Sequence, residues 1–342
     1  MRTKKLNPEE AMKEIQQIFK RRGKKALEIA RTEALEEKTE SQQASEALRY
    51  FMNEYWHDFS RPALLSLVCE AAGGNPELTT PIAVPLSLIS GAIDIHDDII
   101  DQSESKGGRP TVYGKFGKEI ALLIGDALLF KGLILLDNIE YNGIPPKKKK
   151  TIVGLIKSMF FELGDAEAVE LSMRRRVDVT PEAYVQMLRK KAADVEAHTR
   201  ISAILGNATA KTVQALGEYG RLLGMLIIMR DDWIDVLDLD ESLNRIKNEC
   251  LPLPVLYALQ EPSVKSKLIS IINKRERNLE EAENILREVK KSHAFGKQQA
   301  LMERLAGKAE SNLKILKSVN RKNLQLLITA TLPFAQKSEI KK

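Results

Sequence analysis

The chain has 342 residues, with 53 Lys+Arg against 47 Asp+Glu for a net charge of +6; 43% of the residues are hydrophobic and only 5% aromatic. That composition supports a sizeable core and excludes wholesale disorder, and its wealth of Ala, Leu, Ile, Glu and Lys argues for helix over an all-β fold. The small positive excess is spread along the chain, which argues against a nucleic-acid partner and suits an anionic small substrate; two cysteines, Cys69 and Cys250, are too few for a disulfide framework or a zinc site, so a cytoplasmic, reducing setting is expected.

In chain order, helical periodicity predicts amphipathic helices over 9–20, 24–37 and 41–55. The first five residues lead into no apolar run, so no signal peptide is expected. Pro62 opens a helix over 63–72, the Gly73-Gly74-Asn75-Pro76 run breaks it, and a long apolar helix follows from Thr80 to Asp101. After the Gly107-Gly108-Arg109-Pro110 loop, Ile120–Leu136 forms the longest apolar stretch. Asp126 and Lys131 interrupt it and it is too short for a membrane span, so a buried core helix is expected. The four lysines 147–150 read as a solvated loop, with attraction to a membrane surface as the weaker alternative. Further helices are predicted over 151–173, 181–205, 208–237, 254–259, 279–291, 297–316 and 321–336. No segment alternates as a strand does, and no linker divides the chain. The expectation is one all-α domain over 1–342, a helical bundle around an apolar cavity, with the role of residues 1–40 left open.

Two segments place several carboxylates inside apolar helices: Ile95-His96-Asp97-Asp98-Ile99-Ile100-Asp101 and Met229-Arg230-Asp231-Asp232-Trp233-Ile234-Asp235. On a helix Asp97 shares a face with Asp101, and Asp231 with Asp235. Like charges so placed need compensating cations. Mg²⁺ is the natural one: a hard ion that takes carboxylate oxygens and bridges to phosphates. Two such faces turned toward each other could clamp a diphosphate. One cluster alone would fit a solvated acidic face equally well; two copies of the same spacing argue strongly for metal. His96, beside the first cluster, reads better as a hydrogen-bonded core histidine than as a ligand.

With these motifs the chain resembles the trans-isoprenyl diphosphate synthases. Arg61-Pro62, the two aspartate motifs, Arg109-Pro110-Thr111, Gly125-Asp126 and Lys190-Lys191-Ala192 all fall where that family has characteristic elements. The resemblance implies an isoprenoid-synthase helical bundle in which Asp97, Asp98, Asp101, Asp231, Asp232 and Asp235 surround three Mg²⁺ ions. Lys106 and Lys190 would contact an allylic prenyl diphosphate, with Arg245 or Lys247 in place of a lysine that the family carries after its second motif. The allylic diphosphate ionises and isopentenyl diphosphate attacks the cation. Homodimers are implied as well.

The departures cluster in the acceptor half. The family's acceptor-binding lysine is Asp58 here, its two preceding glycines are Trp56 and His57, its histidine is Ser90, and its second arginine is Gly107. Arg61 alone remains, with Lys191 or a partner subunit as substitute cations. The Phe-Gln pair before the second motif is Ile227-Ile228, and the Gly-Lys-rich loop after it is shortened. Two alternatives therefore stand beside a prenyl-elongating synthase: a lyase acting on one allylic diphosphate, and a regulatory subunit of a hetero-oligomer. Ala92 and Ile93, with Ile89 and Leu86 below them, lie toward a growing tail. Ala92 is small and no aromatic residue precedes the motif nearby, so a product of twenty carbons or more is expected. Asp94 has no role in this reading.

Overall fold

The computed structural model describes residues 6–274 and 278–333. Apart from one short hairpin, the regular structure among these residues is helical. The α-helices are Pro8–Leu35 (α1), Gln42–Tyr50 (α2), Ser60–Ala71 (α3), Thr80–Ile100 (α4), Val112–Phe116 (α5), Lys118–Asp137 (α6), Pro146–Met173 (α7), Pro181–Lys191 (α8), Ala193–Leu205 (α9) and Ala210–Leu237 (α10). Leu239–Asn248 (α11), Leu253–Ala258 (α12), Pro262–Ile272 (α13), Leu279–Lys291 (α14), Ala294–Asn312 (α15) and Lys322–Thr331 (α16) complete them. Ser105–Lys106 (β1) and Arg109–Pro110 (β2) pair antiparallel.

The all-α expectation holds, and the differences have local causes. The predicted helices 9–20 and 24–37 are one helix, α1, because Gly23 inside it is only a propensity cost. Residues 51–55 after α2 form a π-turn. The segment 181–205 is two helices separated at Ala192. The lysines 147–150 open α7 rather than forming a loop; Lys148 Nζ donates to Asn207 Oδ1 at 2.8 Å and Lys149 Nζ to Asp137 Oδ1 at 2.9 Å. Residues 334–336 of the predicted last helix lie outside the described residues.

The described residues gather into two compact units. One comprises residues 16–156 and 198–213, and the other takes the rest; α1, α7, α9 and α10 have residues in both. In the first unit, α4 is the central helix. With the turn before it, Pro76–Ile100 is long and apolar enough to cross a membrane by length and composition, which the expected limit on apolar stretches had missed. Most of that window is buried, as in the core helix of a folded domain. Helix α6 packs along α4, and Gly132 is what allows it: a Cβ there would meet Ile89 Cγ1 at 2.7 Å and the Pro85 carbonyl oxygen at 3.0 Å. The buried-core reading of α6 needs correction on its other side. Ala121, Ile124 and Leu128 are buried, but Leu122, Leu123, Phe130, Leu133 and Ile134 are exposed, Phe130 by 66%.

The start of α3 explains Asp58. Its Oδ1 accepts the Ser60 N–H at 2.8 Å, capping a helix end that would otherwise lack a partner, and its Oδ2 accepts from Arg61 Nη1 at 2.8 Å. The Arg61 guanidinium also reaches Asp94 of α4, at 3.3 Å from Nη2 to Oδ1, and Trp56 Nε1 donates to Asp94 Oδ2 at 2.9 Å. Asp94 therefore joins α3 to α4 by accepting from both an arginine and an indole. Burial pushes the Asp58 carboxyl up, but the Arg61 charge and the hydrogen bonds from Ser60 and Arg61 outweigh it and hold it below the usual carboxylate range.

A carboxyl depressed in the folded state adds stability above its unfolded pKa, near 4, and loses it as pH falls through the folded value. Asp58→Asn is expected to destabilise by roughly 1.5–3 kcal/mol at neutral pH. Thermal melts across pH should show the gap to wild type closing on acidification below about pH 4; a gap that does not change with pH contradicts this role.

Candidate active site

Both aspartate motifs occupy the C-terminal ends of long apolar helices, Asp97 and Asp98 in the last turn of α4 and Asp231, Asp232 and Asp235 near the end of α10. Asp101 is the C-cap residue of α4. A helix C-terminus carries partial negative charge, so carboxylates there raise the demand for cations that clustering and burial already create. In each unit a short returning element brings one.

In the first unit that element is the β1–β2 hairpin. Gly107 and Gly108 adopt φ +58° and +71°, the left-handed pair that a tight hairpin turn requires. Thr111 anchors its base: its N–H donates to the Glu104 carbonyl at 2.9 Å, and its hydroxyl donates to the Ser103 carbonyl at 2.7 Å and accepts the Gly114 N–H. Lys106 is thereby carried back to α4, with Nζ 2.7 Å from Asp98 Oδ1 and 3.9 Å from Asp97 Oδ2. Asp98 is almost wholly buried, and its desolvation pushes the carboxyl up to about 6 even with Lys106 opposing. The Lys106 ammonium is itself raised by the Asp98 and Asp97 charges, which outweigh its desolvation. Asp97 is one-third exposed and Asp101 half-buried.

A cavity of 280 Å³ opens beside this cluster. Tyr55 and Trp56 give it an aromatic side, Asp94, Asp97 and Asp98 an acidic one, and Lys106 and Arg109 its cations. Arg109 donates to the Glu54 carbonyl at 2.9 Å and sits over the Tyr55 ring. Arg61 lies behind Asp94, engaged with that carboxylate and with Asp58. His96 Nε2 is 3.2 Å from Asp126 Oδ1, on the side of α4 that faces Gly125. Ala92 is fully buried and Ile93 half-buried. The sequence shows no aromatic residue just before the motif, but folding brings one from elsewhere: a Cβ on Gly91 would meet Phe51 Cε1 at 3.0 Å, and Phe51 stacks on Trp56 with ring centroids 5.6 Å apart.

In the second unit the returning element is α11. Asp238 caps it by accepting from the N–H groups of Asp240 and Glu241, acidic residues fill its first turn, and Arg245 and Lys247 lie in its last. Arg245 turns into the motif: Nη2 is 2.9 Å from Asp232 Oδ1, Nη1 is 3.1 Å from Asp235 Oδ2, and Nε is 3.1 Å from Glu249 Oε2. Asp232 is fully buried and also accepts from the Tyr184 hydroxyl at 2.9 Å and the Leu253 N–H at 3.3 Å. Desolvation pushes Asp235 up to about 7 against the pull of Arg245. Asp231 is the open member, with a side chain 55% exposed and Arg230 Nη1 3.7 Å away. Lys190 pairs with Asp165 at 2.5 Å, and Lys191 pairs with Glu167 at 2.8 Å and with Glu170. Lys247 is half-buried on α11.

The structure thus clusters Asp97, Asp98 and Lys106 in one unit and Asp232, Asp235 and Arg245 in the other. It gives Arg61, Lys190, Lys191 and Arg245 carboxylate partners rather than open heads. Sequence reasoning missed Asp94, Tyr184 and Glu249: the first two carried no pattern, and Glu249 is visible only as the i+4 partner of Arg245. Among the described residues no three His, Cys, Asp or Glu side chains converge as a ready-made metal cage. The donor chemistry still suits Mg²⁺, which keeps several waters and is usually held by one or two carboxylates together with substrate phosphates. Of the six motif aspartates, Asp231 is exposed, Asp97, Asp101 and Asp235 are part-exposed, and Asp98 and Asp232 are buried.

A family model described as polyprenyl synthetase matches residues 41–289. A short chain isoprenyl diphosphate synthase from Methanothermobacter thermautotrophicus is 33% identical over 227 residues, 64% of this chain and 69% of that one. A geranylgeranyl diphosphate synthase from Methanosarcina mazei is 30% identical over 274 residues, 78% of this chain and 82% of that one. The crystal structure of geranylgeranyl pyrophosphate synthetase from Pyrococcus horikoshii superimposes with a TM-score of 0.80 at 26% identity, covering 94% of this chain and 100% of that one. With its helical architecture and its two acidic helix ends, the chain belongs to the polyprenyl synthetase family of prenyltransferases.

Proposed function

We propose that the chain condenses an allylic prenyl diphosphate with isopentenyl diphosphate, giving a product of twenty carbons or more, and that its residues act as a single catalytic domain. The observation that carries this reading is the pair of acidic helix ends, each with desolvated carboxylates matched by a returning cation and each with at least one carboxylate still open to solvent. Asp97 and Asp101 on α4, and Asp231 on α10, are the side chains that would hold divalent ions. Such ions would neutralise the charge that builds on the leaving pyrophosphate as the allylic C–O bond breaks.

The protein's own groups do the rest. Lys106 stands at the first motif with its charge directed at the same place, and it opposes the desolvation that pushes the Asp98 carboxyl up. Arg109, on the rim of the 280 Å³ cavity, is the second cation there able to meet a phosphate. Asp58 does not present a bare negative charge to the acceptor, because Arg61 neutralises it. The apolar face around the buried Ala92 and half-buried Ile93 suits a prenyl tail. A lyase reading is not favoured, because relatives that align over most of the chain are synthases.

Purified protein with Mg²⁺, an allylic primer of five to twenty carbons and isopentenyl diphosphate should release pyrophosphate and yield longer prenyl diphosphates. Asp97→Asn and Asp231→Asn should each lower kcat by about 100-fold or more, the scale of losing one electrostatic stabiliser of the transition state, and Ala92→Phe should shorten the product. Hydrocarbon or alcohol formed without isopentenyl diphosphate, or no turnover with any primer, contradicts the reading.

The exposed face of α6 suits a second copy of the chain. Leu123, Phe130 and Ile134 repeat at helical spacing and are each more than half exposed. Sedimentation should give a dimer for the wild type and a monomer for Phe130→Glu/Ile134→Glu; a monomeric wild type rules the homodimer out.

A further inference from the structure

The turn that joins α15 to α16, residues 313–321, presents apolar and basic side chains together. Leu313 and Leu316 are buried and pin it to the core, and the Tyr219 hydroxyl holds the start of α16 by donating to the Leu324 carbonyl at 3.0 Å. The chain between these anchors forms two tight turns, Leu313–Ile315 and Ser318–Arg321. They leave Ile315 37% and Val319 79% exposed, the latter the most open large apolar side chain among the described residues. Around them stand Lys314, Lys317 and Lys322, all exposed, and the half-buried Arg321. None of these four cations has a carboxylate partner among the described residues. The sequence itself carries no Asp or Glu between Glu310 and Glu339. Lysines 147–150 differ in this respect, since Lys148 and Lys149 are taken up by Asn207 and Asp137. Arg321 and Lys322 also stand at the N-terminal end of α16, where no side chain caps the helix and its partial positive charge disfavours cations. Folding stability therefore does not explain the cluster.

We infer that this turn docks the protein on an anionic lipid bilayer, with Val319 and Ile315 entering the headgroup layer while Lys314, Lys317, Arg321 and Lys322 meet lipid phosphates. Apolar side chains protruding through a ring of unmatched cations suit such a surface, because headgroups supply the charge and the acyl boundary beneath them takes the apolar tips. Nucleic acid fits less well: residues 311–333 hold no aromatic side chain on which a base could stack. The attachment is peripheral and weakens with salt, since most of the attraction is between exposed charges. A long prenyl chain partitions into a bilayer, so a synthase seated there would release its product where it dissolves.

The test is co-sedimentation of the full chain with vesicles of phosphatidylcholine alone or mixed equally with phosphatidylglycerol, in low salt and in about 1 M NaCl, where the screening length falls to about 3 Å. The wild type should bind only the anionic vesicles and leave them in high salt. Lys314→Glu/Lys317→Glu should bind at least about 30-fold more weakly, each cation near an anionic surface being worth roughly fivefold. Ile315→Ser/Val319→Ser should also bind more weakly while keeping the preference for anionic lipid. Lys147→Glu/Lys150→Glu, the same charge change elsewhere, should bind like the wild type. A wild type that ignores anionic vesicles overturns the inference, whether or not it is retained by RNA or an acidic protein. So does unchanged binding in either folded variant of the turn, or an equal loss in Lys147→Glu/Lys150→Glu, which would make net charge the cause. If a variant of the turn does not fold, the wild type and the remaining variants decide. Vesicle binding without prenyl transfer would sink the proposed reaction and leave this surface standing, and the reverse result would do the opposite.

Discussion

Carboxylates buried at the ends of apolar helices are the constraint from which the rest of this structure follows. Removing a carboxylate from water is costly, placing another one turn away adds repulsion, and the carbonyl end of a helix adds more. Neither α4 nor α10 can carry its motif without a cation nearby. Each is followed at once by a device that returns one: a two-glycine hairpin bearing Lys106, and a capped helix bearing Arg245. The Asp98 carboxyl at about 6 and the Asp235 carboxyl at about 7 show that these cations offset the desolvation only in part. What is left over is an appetite for positive charge, which is what a site for metal-bound diphosphate requires.

The same constraint sorts the six motif aspartates. Asp98 and Asp232, the second residue of each motif, turn inward and are taken up by Lys106, and by Arg245, Tyr184 and the Leu253 backbone, respectively. Their work is to fix the returning elements against the helix end. Asp97 and Asp231, the first residue of each, keep access to water. One acidic pattern thus combines structural and reactive roles, with the residues one position apart. The start of α3 follows the same logic. Asp58 and Asp94 enclose Arg61, and Asp94 also accepts from the Trp56 indole, so an aspartate that looks like a charge reversal in sequence belongs to a network joining α3 to α4.

Much of this was legible in the chain. Helical periodicity gave the fold class, and the repeated Asp-Asp-x-x-Asp spacing gave the motifs and the family. Spacing on a helix reveals which aspartates share a face but not which neighbour covers that face, so the inward turn of Asp98 and Asp232 was out of reach. The signals for α11 are present in the sequence, with Asp238 before two acidic residues and basic residues at the end, but a segment shorter than the family's loop does not by itself show that it folds as a helix. The destination of Arg245 depends on Tyr184 and Glu249, the first of which has no local pattern. Helix α6 read as buried because it is apolar nearly all round; within its own unit only one side is covered. Asp94 looked purposeless because its partners lie at positions 56 and 61, far from it in the chain.

The division of the aspartates is most directly tested by anomalous diffraction from crystals grown with Mn²⁺ and a non-ionisable allylic thiolodiphosphate. The account predicts Mn²⁺ bonded to Asp97 and Asp231, with Arg245 still seated between Asp232 and Asp235. Mn²⁺ bonded to Asp232 or Asp235 with Arg245 displaced would contradict it.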